Sequence, residues 1–146
     1  MGLFLFIFPT INSTDEKNNE CMHAVNPISM AKPKGHYTPA MVHNGFVFVS
    51  GQISMDDEGN PVPGTIEAET RQCLKRIDTI LKASGSNIKR VLKVNIFVSN
   101  INDWAKVNEV FADCFGDHRP ARIVAPCGPL HYGCSIEMDC IAAVNE

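Results

Sequence analysis

The chain has 146 residues, 45% of them hydrophobic, and a formal net charge of -3 with no cluster of lysine and arginine. That length supports one domain with a substantial core and is too short for two comfortable ones. The charge excludes the electrostatic footprint of a general nucleic-acid binder, and the composition points to a soluble chain that faces small molecules.

Residues 1–10, MGLFLFIFPT, are apolar but too few to span a bilayer, and they lack the basic flank of a secretory signal. Residues 1–35 contain no arginine yet include Asp15, Glu16 and Glu20, which speaks against a mitochondrial presequence. Residues 1–28 therefore read as a mobile extension, residues 29–146 as the working domain, and the compartment as cytoplasmic, with no membrane partner. The six cysteines, at 21, 73, 114, 127, 134 and 140, show no two-residue gap, and the five histidines do not join them in a ligand pattern. No metal site is expected; Cys73, Cys114 and Cys140 fall on apolar faces and read as small core residues in a reducing compartment.

His36–His43 and Phe46–Ser50 read as extended segments around Asn44-Gly45, a dipeptide that favours a tight hairpin turn with positive φ. The second, FVFVS, is apolar throughout and should be a central strand. Gly51 follows at its end, where the lack of a side chain lets another backbone or a ligand come close. Met55–Gly64 reads as a surface loop.

Thr65 opens a helix that runs to about Ser84 and stops at Gly85, with Ile66, Thr70, Cys73, Leu74, Ile77, Ile80 and Leu81 at helical spacing. Glu67 and Glu69 sit in its first turn, where the helix dipole favours negative charge. Lys89–Ser99 reads as a strand with Leu92, Val94, Ile96 and Val98 on one face and Lys93, Asn95, Phe97 and Ser99 on the other. A second helix, from about Asp103 to Phe115, is expected to be capped by Asn102 and stopped by Gly116. Its stripe is Trp104, Val107, Phe111, Cys114 and Phe115. Asn108 lies within that stripe and must find a partner, either by tying down a neighbouring backbone or by pointing into a cleft.

The last stretch holds Arg119 and Arg122 around Pro120, then alternates Ser135, Glu137 and Asp139 with Ile136, Met138 and Cys140. Period-two alternation marks a strand with two different faces. A guanidinium followed by acids can build a small-anion site, although a solvated strand face accounts better for the pattern taken alone. The element order is strand, strand, helix, strand, helix, strand, strand: an α+β fold whose mixed β-sheet carries two helices on one face. The other face then needs cover, which subunit association would supply.

The segments Gly35-His36-Tyr37-Thr38-Pro39-Ala40, Phe48-Val49-Ser50-Gly51-Gln52, Val107-Asn108-Glu109-Val110-Phe111, Arg119-Pro120-Ala121-Arg122 and Ile136-Glu137-Met138-Asp139 together resemble the Rid family of enamine and imine deaminases, over residues of about 30 to 144. The resemblance implies a chorismate-mutase-like fold, a homotrimer with clefts between subunits, and hydrolysis of reactive 2-imino acids and enamines to 2-keto acids and ammonia without any cofactor. Carried over by position, Arg122 would grip the substrate carboxylate and Glu137 would activate water. Tyr37 and Asn108 match pocket residues, Ser50 and Gly51 match the strand end lining the cleft, and Val124 would meet the ligand through its backbone. The resemblance reverses the weighing made from the pattern alone. Where many relatives have a small residue and then cysteine after the arginine, this chain has Ile123-Val124, and His131 and Tyr132 add an imidazole and an aromatic ring near the expected cleft. A pathway-specific imine or enamine enzyme and a non-catalytic ligand-binding or interaction protein remain the alternatives.

Overall fold

A computed structural model describes residues 22–145. Cys21 and most of the stretch read as an extension lie outside the described residues. Asn44 and Gly45 take φ of 48° and 76°, the turn whose twist matches a hairpin. Accordingly β2 (Ala40–His43) and β3 (Phe46–Ile53) pair antiparallel across it. The strand before the turn is shorter than its sequence suggests. Residues 36–39 stay outside it, and the Thr38 and Pro39 carbonyls accept hydrogen bonds from Ser50 Oγ at 2.6 Å and Ser50 N at 2.9 Å. An additional edge strand, β1 (His23–Val25), pairs with β2 inside the stretch assigned to the extension. Three residues carry no readable period.

Helix α1 (Ile66–Ala83) starts where Thr65 Oγ1 accepts from Ala68 N at 3.3 Å and ends at Ser84, with Gly85 at φ 73°. The remaining elements are β4 (Val91–Val98), α2 (Trp104–Phe115), β5 (Ala121–Pro126) and β6 (Ile136–Ala143). The sheet order is β1-β2-β3-β6-β4-β5, with β4 and β5 parallel and every other neighbour antiparallel. The parallel pair exists because α2 carries the chain back across the sheet, as a crossover must. FVFVS is central, between β2 and β6, as expected.

Both helices cover one sheet face. Cys73, Ile77, Leu81, Val107, Phe111 and Phe115 bury against Val47, Val49, Val94, Ile96, Met138 and Cys140. Each large side chain so buried contributes on the order of 2 kcal/mol. Burial also pushes the Cys140 thiol up to about 12 and the Cys73 thiol higher still, so both stay protonated as inert core groups. Cys114 is only partly buried. Among the described residues no helix is long and apolar enough to cross a membrane.

Three local expectations change. Leu92 is 46% exposed and Val91 takes the inner position, because the ladder to β6 shifts register between Val91 and Lys93. A one-residue irregularity flips the face on which a side chain lands. Asn102 is not the cap of α2: Asn100 caps a short 3-10 turn at Ile101–Asp103 by accepting from Asn102 N, and α2 continues from it without a side-chain cap. Trp104 is 45% exposed and Val110 is buried, so the stripe is rotated towards Val107, Val110, Phe111 and Phe115.

Among the described residues no helix lies over the other sheet face. Phe46, Phe48, Phe97 and Ile123 stand on it, between 38% and 51% exposed, around an Asn95–Asp139 hydrogen bond of 2.7 Å. Exposed apolar side chains grouped on one face of a small domain are a feature of surfaces that bind other molecules, and this face is a candidate for one.

Candidate functional site

The site begins with the irregularity in β3. Its pairing with β6 shifts between Val49 and Gln52, so Ser50 and Gly51 leave the regular ladder at the sheet's centre. Glu137 on β6 then settles directly over Gly51. A Cβ at position 51 would overlap Glu137 Oε1 and lie 3.1 Å from its carboxyl carbon. Glycine lets the carboxylate rest in this position, because any side chain there would have to push the Glu137 side chain aside. Gly51→Ala should keep the fold but displace Glu137, lowering kcat/KM about 10- to 100-fold, on the scale that an ångström of misplacement costs. Steady-state rates beside a circular-dichroism melt check this; an unchanged rate would show that the close approach is not needed.

Glu137, Gly51, Ser50 and Tyr37 line one cleft of about 640 Å³. Its wall continues through His131 and Tyr132, and through Arg76 on α1. Tyr132 sits at φ 59° in a 3-10 turn, with Gly133 at φ 73° after it, and the turn leaves the phenol ring 58% exposed. Tyr37 is equally open. The Ser50 hydroxyl spends its proton on Thr38 O, so towards the cleft it offers lone pairs.

Arg122, Asn108 and Val124 form a second group. Arg122 Nη2 donates to Asn108 Oδ1 at 2.9 Å, and its guanidinium carbon lies 4.7 Å from the Phe111 ring centroid and 5.7 Å from that of Trp104. Amide and rings thus hold the guanidinium in one orientation. Asn108 ties down a side chain rather than a backbone. Burial lowers the Arg122 pKa from its ordinary value, and among the described residues no carboxylate lies within ion-pairing distance of it. It is a held cation without a counterion. Val124, half-buried in β5, packs against the core. Among the described residues no strand pairs with the outer side of β5, which leaves that backbone edge open.

The register decides how the two groups relate. Arg122 lies opposite Val94, and Val94 opposite Cys140, both buried under the helices. Glu137 lies opposite Phe97, on the uncovered face. The arginine and the acid therefore project from opposite faces of one sheet and do not converge within one chain. Four of the seven expected site residues come together in the cleft; Arg122, Asn108 and Val124 stand apart.

Two groups in this region escaped the sequence reading. Arg76 sits on the rim of the apolar stripe of α1, where charge usually meets water, and its bonds to Gln52 and to the Met55 and Asp56 carbonyls hold it at the cleft wall. Glu69 was read as a dipole partner in the first turn of α1. It is 1% exposed, and its two oxygens accept from Gly64 N at 2.9 Å and Ser135 N at 2.7 Å, clamping the segment that leads into β6.

The family model described as endoribonuclease L-PSP matches residues 28–144. The chain belongs to the endoribonuclease L-PSP family. The match spans nearly the same stretch as the five Rid-like motifs. Among family relatives, a RutC family protein of Pyrococcus horikoshii is 40% identical over 112 residues, covering 76% of this chain and 89% of its own. A rat protein named 2-iminobutanoate/2-iminopropanoate deaminase is 38% identical over 109 residues, 74% of this chain and 80% of the rat chain. The crystal structure of yeast Mmf1 superposes with a TM-score of 0.82 at 31% identity, covering 86% of this chain and all of the other. This L-PSP-family chain thus shares the six-stranded mixed sheet and its two helices with solved relatives.

Proposed function

We propose that this chain hydrolyses 2-imino acids and their enamine tautomers to 2-keto acids and ammonia, in clefts that form where copies of the chain meet, most simply as a homotrimer. The observation that carries the reading is the separation of Arg122 and Glu137 onto opposite faces of one sheet, each placed for chemistry and neither paired with the other. A second copy docked on the apolar open face brings one chain's Arg122 edge to the other's Glu137 cleft. The rat relative's name adds the same reaction class from outside the geometry.

In such a cleft Arg122 holds the substrate carboxylate by two parallel charge-assisted hydrogen bonds, from a guanidinium already oriented by Asn108, Phe111 and Trp104. The imine carbon then lies near Glu137. The carboxylate takes a proton from a water as its oxygen attacks that carbon and returns it to the imine nitrogen, giving a carbinolamine. It then takes the hydroxyl proton as the C=O bond forms and delivers it to the nitrogen as the C–N bond breaks and ammonia leaves. Tyr37 and Ser50 give the cleft wall a hydroxyl proton and lone pairs with which to orient the imine nitrogen and the water. The edge of β5 at Val124 gives backbone polar groups beside the held carboxylate. Free imines hydrolyse in water, so positioning plus modest acid-base help suffices, and the reaction as written needs no metal or organic cofactor. A cytoplasmic setting completes the proposal.

The test is the release of ammonia and keto acid from freshly generated 2-iminopropanoate and 2-iminobutanoate. Wild type should exceed the uncatalysed rate, and Arg122→Ala and Glu137→Ala should each lose on the order of 100-fold or more in kcat/KM, the range of a general base or a carboxylate clamp. A wild-type rate equal to the uncatalysed one overturns the reading.

A further inference from the structure

Arg122 is not the only guanidinium here without an acid. Arg76, half-buried on the cleft wall, donates from Nε to Gln52 Oε1 at 3.0 Å and from Nη1 to Asp56 O at 2.9 Å and Met55 O at 3.5 Å. Every one of these acceptors is neutral. The two acids that act on it through space make their own bonds elsewhere. Asp56 accepts from Asn60 N at 2.7 Å and Asn60 Nδ2 at 3.0 Å, and Asp57 pairs with Lys75 at 3.7 Å. Burial works against the charge on Arg76, lowering its pKa from the ordinary value; Asp57 and Asp56 offset part of that cost through space, but no carboxylate of the described residues lies within ion-pairing distance. Nη2 carries no hydrogen bond among the described residues. Lys32 and Lys34 line the same cleft, and among the described residues that line it Glu137 is the only acid. The space beyond Glu137 is therefore cationic, and it is larger than the handful of atoms in a three- or four-carbon imino acid.

We infer that this region is a second anion subsite, built by Arg76 with Lys32 and Lys34, that selects 2-imino acids whose side chain ends in another carboxylate. With the α-carboxylate on Arg122 of a second copy and the imine carbon at Glu137, the substituent points into the remaining volume, where Arg76 Nη2 meets its terminal oxygens. Lys32 and Lys34, both exposed, add long-range attraction and little directional bonding. This assignment rests on the deaminase reading for its reaction, but the subsite itself is read by binding.

The first experiment measures binding of the corresponding products by calorimetry: 2-oxoglutarate, with a second carboxylate, against 2-oxobutanoate, without one. Wild type should bind 2-oxoglutarate about tenfold or more tightly, the worth of one charge-assisted contact, and the preference should shrink as salt rises. Arg76→Gln should lose that preference while keeping its affinity for 2-oxobutanoate, and Arg76→Lys should keep part of it. Lys32→Gln with Lys34→Gln, both on the surface, should weaken it less. Equal binding of the two acids by wild type overturns the subsite, as does an Arg76→Gln variant that loses both ligands equally, which is the mark of a purely structural tie between α1 and residues 52–56. Turnover of 2-iminoglutarate and 2-iminobutanoate, each generated in situ by an amino-acid oxidase, separates the two ideas. Dicarboxylate binding without turnover sinks the deaminase reading alone, and turnover with no dicarboxylate preference sinks the subsite alone.

Discussion

Mixing the Arg122→Ala and Glu137→Ala variants should restore turnover that neither has alone. If each cleft takes its arginine from one copy and its acid from the next, random co-assembly of equal amounts leaves about one cleft in four with both groups intact, by the symmetry of a closed ring. The recovered rate should therefore approach about a quarter of wild type after the two are unfolded together and refolded, and about a third when they are co-expressed with different tags and purified for both, since each mixed trimer then holds one intact cleft. The geometry behind this is the sheet itself. Arg122 shares a side with Val94 and Cys140 beneath the helices, and Glu137 shares the other side with Phe97. No rotamer carries a side chain through a sheet. Absence of recovery in doubly tagged assemblies would mean that each chain completes its own site, and the mechanism in which Arg122 and Glu137 act on one substrate would fall with it.

The largest loss of stability should come from Glu69→Ala. Glu69 is 1% exposed, and its carboxylate accepts from Gly64 N and Ser135 N. Removing it strands two backbone donors where water reaches poorly, and hydrogen bonds to a charged acceptor are among the stronger ones. A cost of about 3 kcal/mol is expected, lowering Tm by roughly 10 °C for a domain of this size. Glu69→Gln, which turns an NH2 towards one of the two donors, should recover only part of it. Thermal melts of both variants check the prediction, and a Glu69→Ala melt within 2 °C or so of wild type would refute it. Because Ser135 leads into β6, the damaged variant should also loosen Glu137, so activity should fall below wild type even well below Tm.

Much of the fold was legible because it follows from local chemistry. Asn44-Gly45 allows the two positive φ values of its hairpin, Thr65 and Gly85 bracket α1, and alternation from Ile136 to Cys140 places the buried face of β6. Such signals act within a few residues and survive in a bare string of letters. Leu92 and Trp104 were misplaced for the same reason in reverse: a register shift in β4 and a 3-10 turn before α2 rotate the pattern, and neither has a residue type that announces it.

The site divided along the same line. From the motifs alone came the identities of Arg122, Glu137, Tyr37, Ser50, Gly51, Asn108 and Val124, together with the class of chemistry that a carboxylate clamp and an acid imply. Tertiary structure alone decided that these residues form two groups on opposite sheet faces, that Gly51 is the floor beneath the Glu137 carboxylate, and that Arg76 stands on the cleft wall. Residue type is carried by the sequence directly, whereas the side of a sheet on which a group emerges depends on strand order, bulges and crossovers that join segments far apart in the chain. Those are set by how the whole apolar surface is buried at once, and no local stretch contains that information.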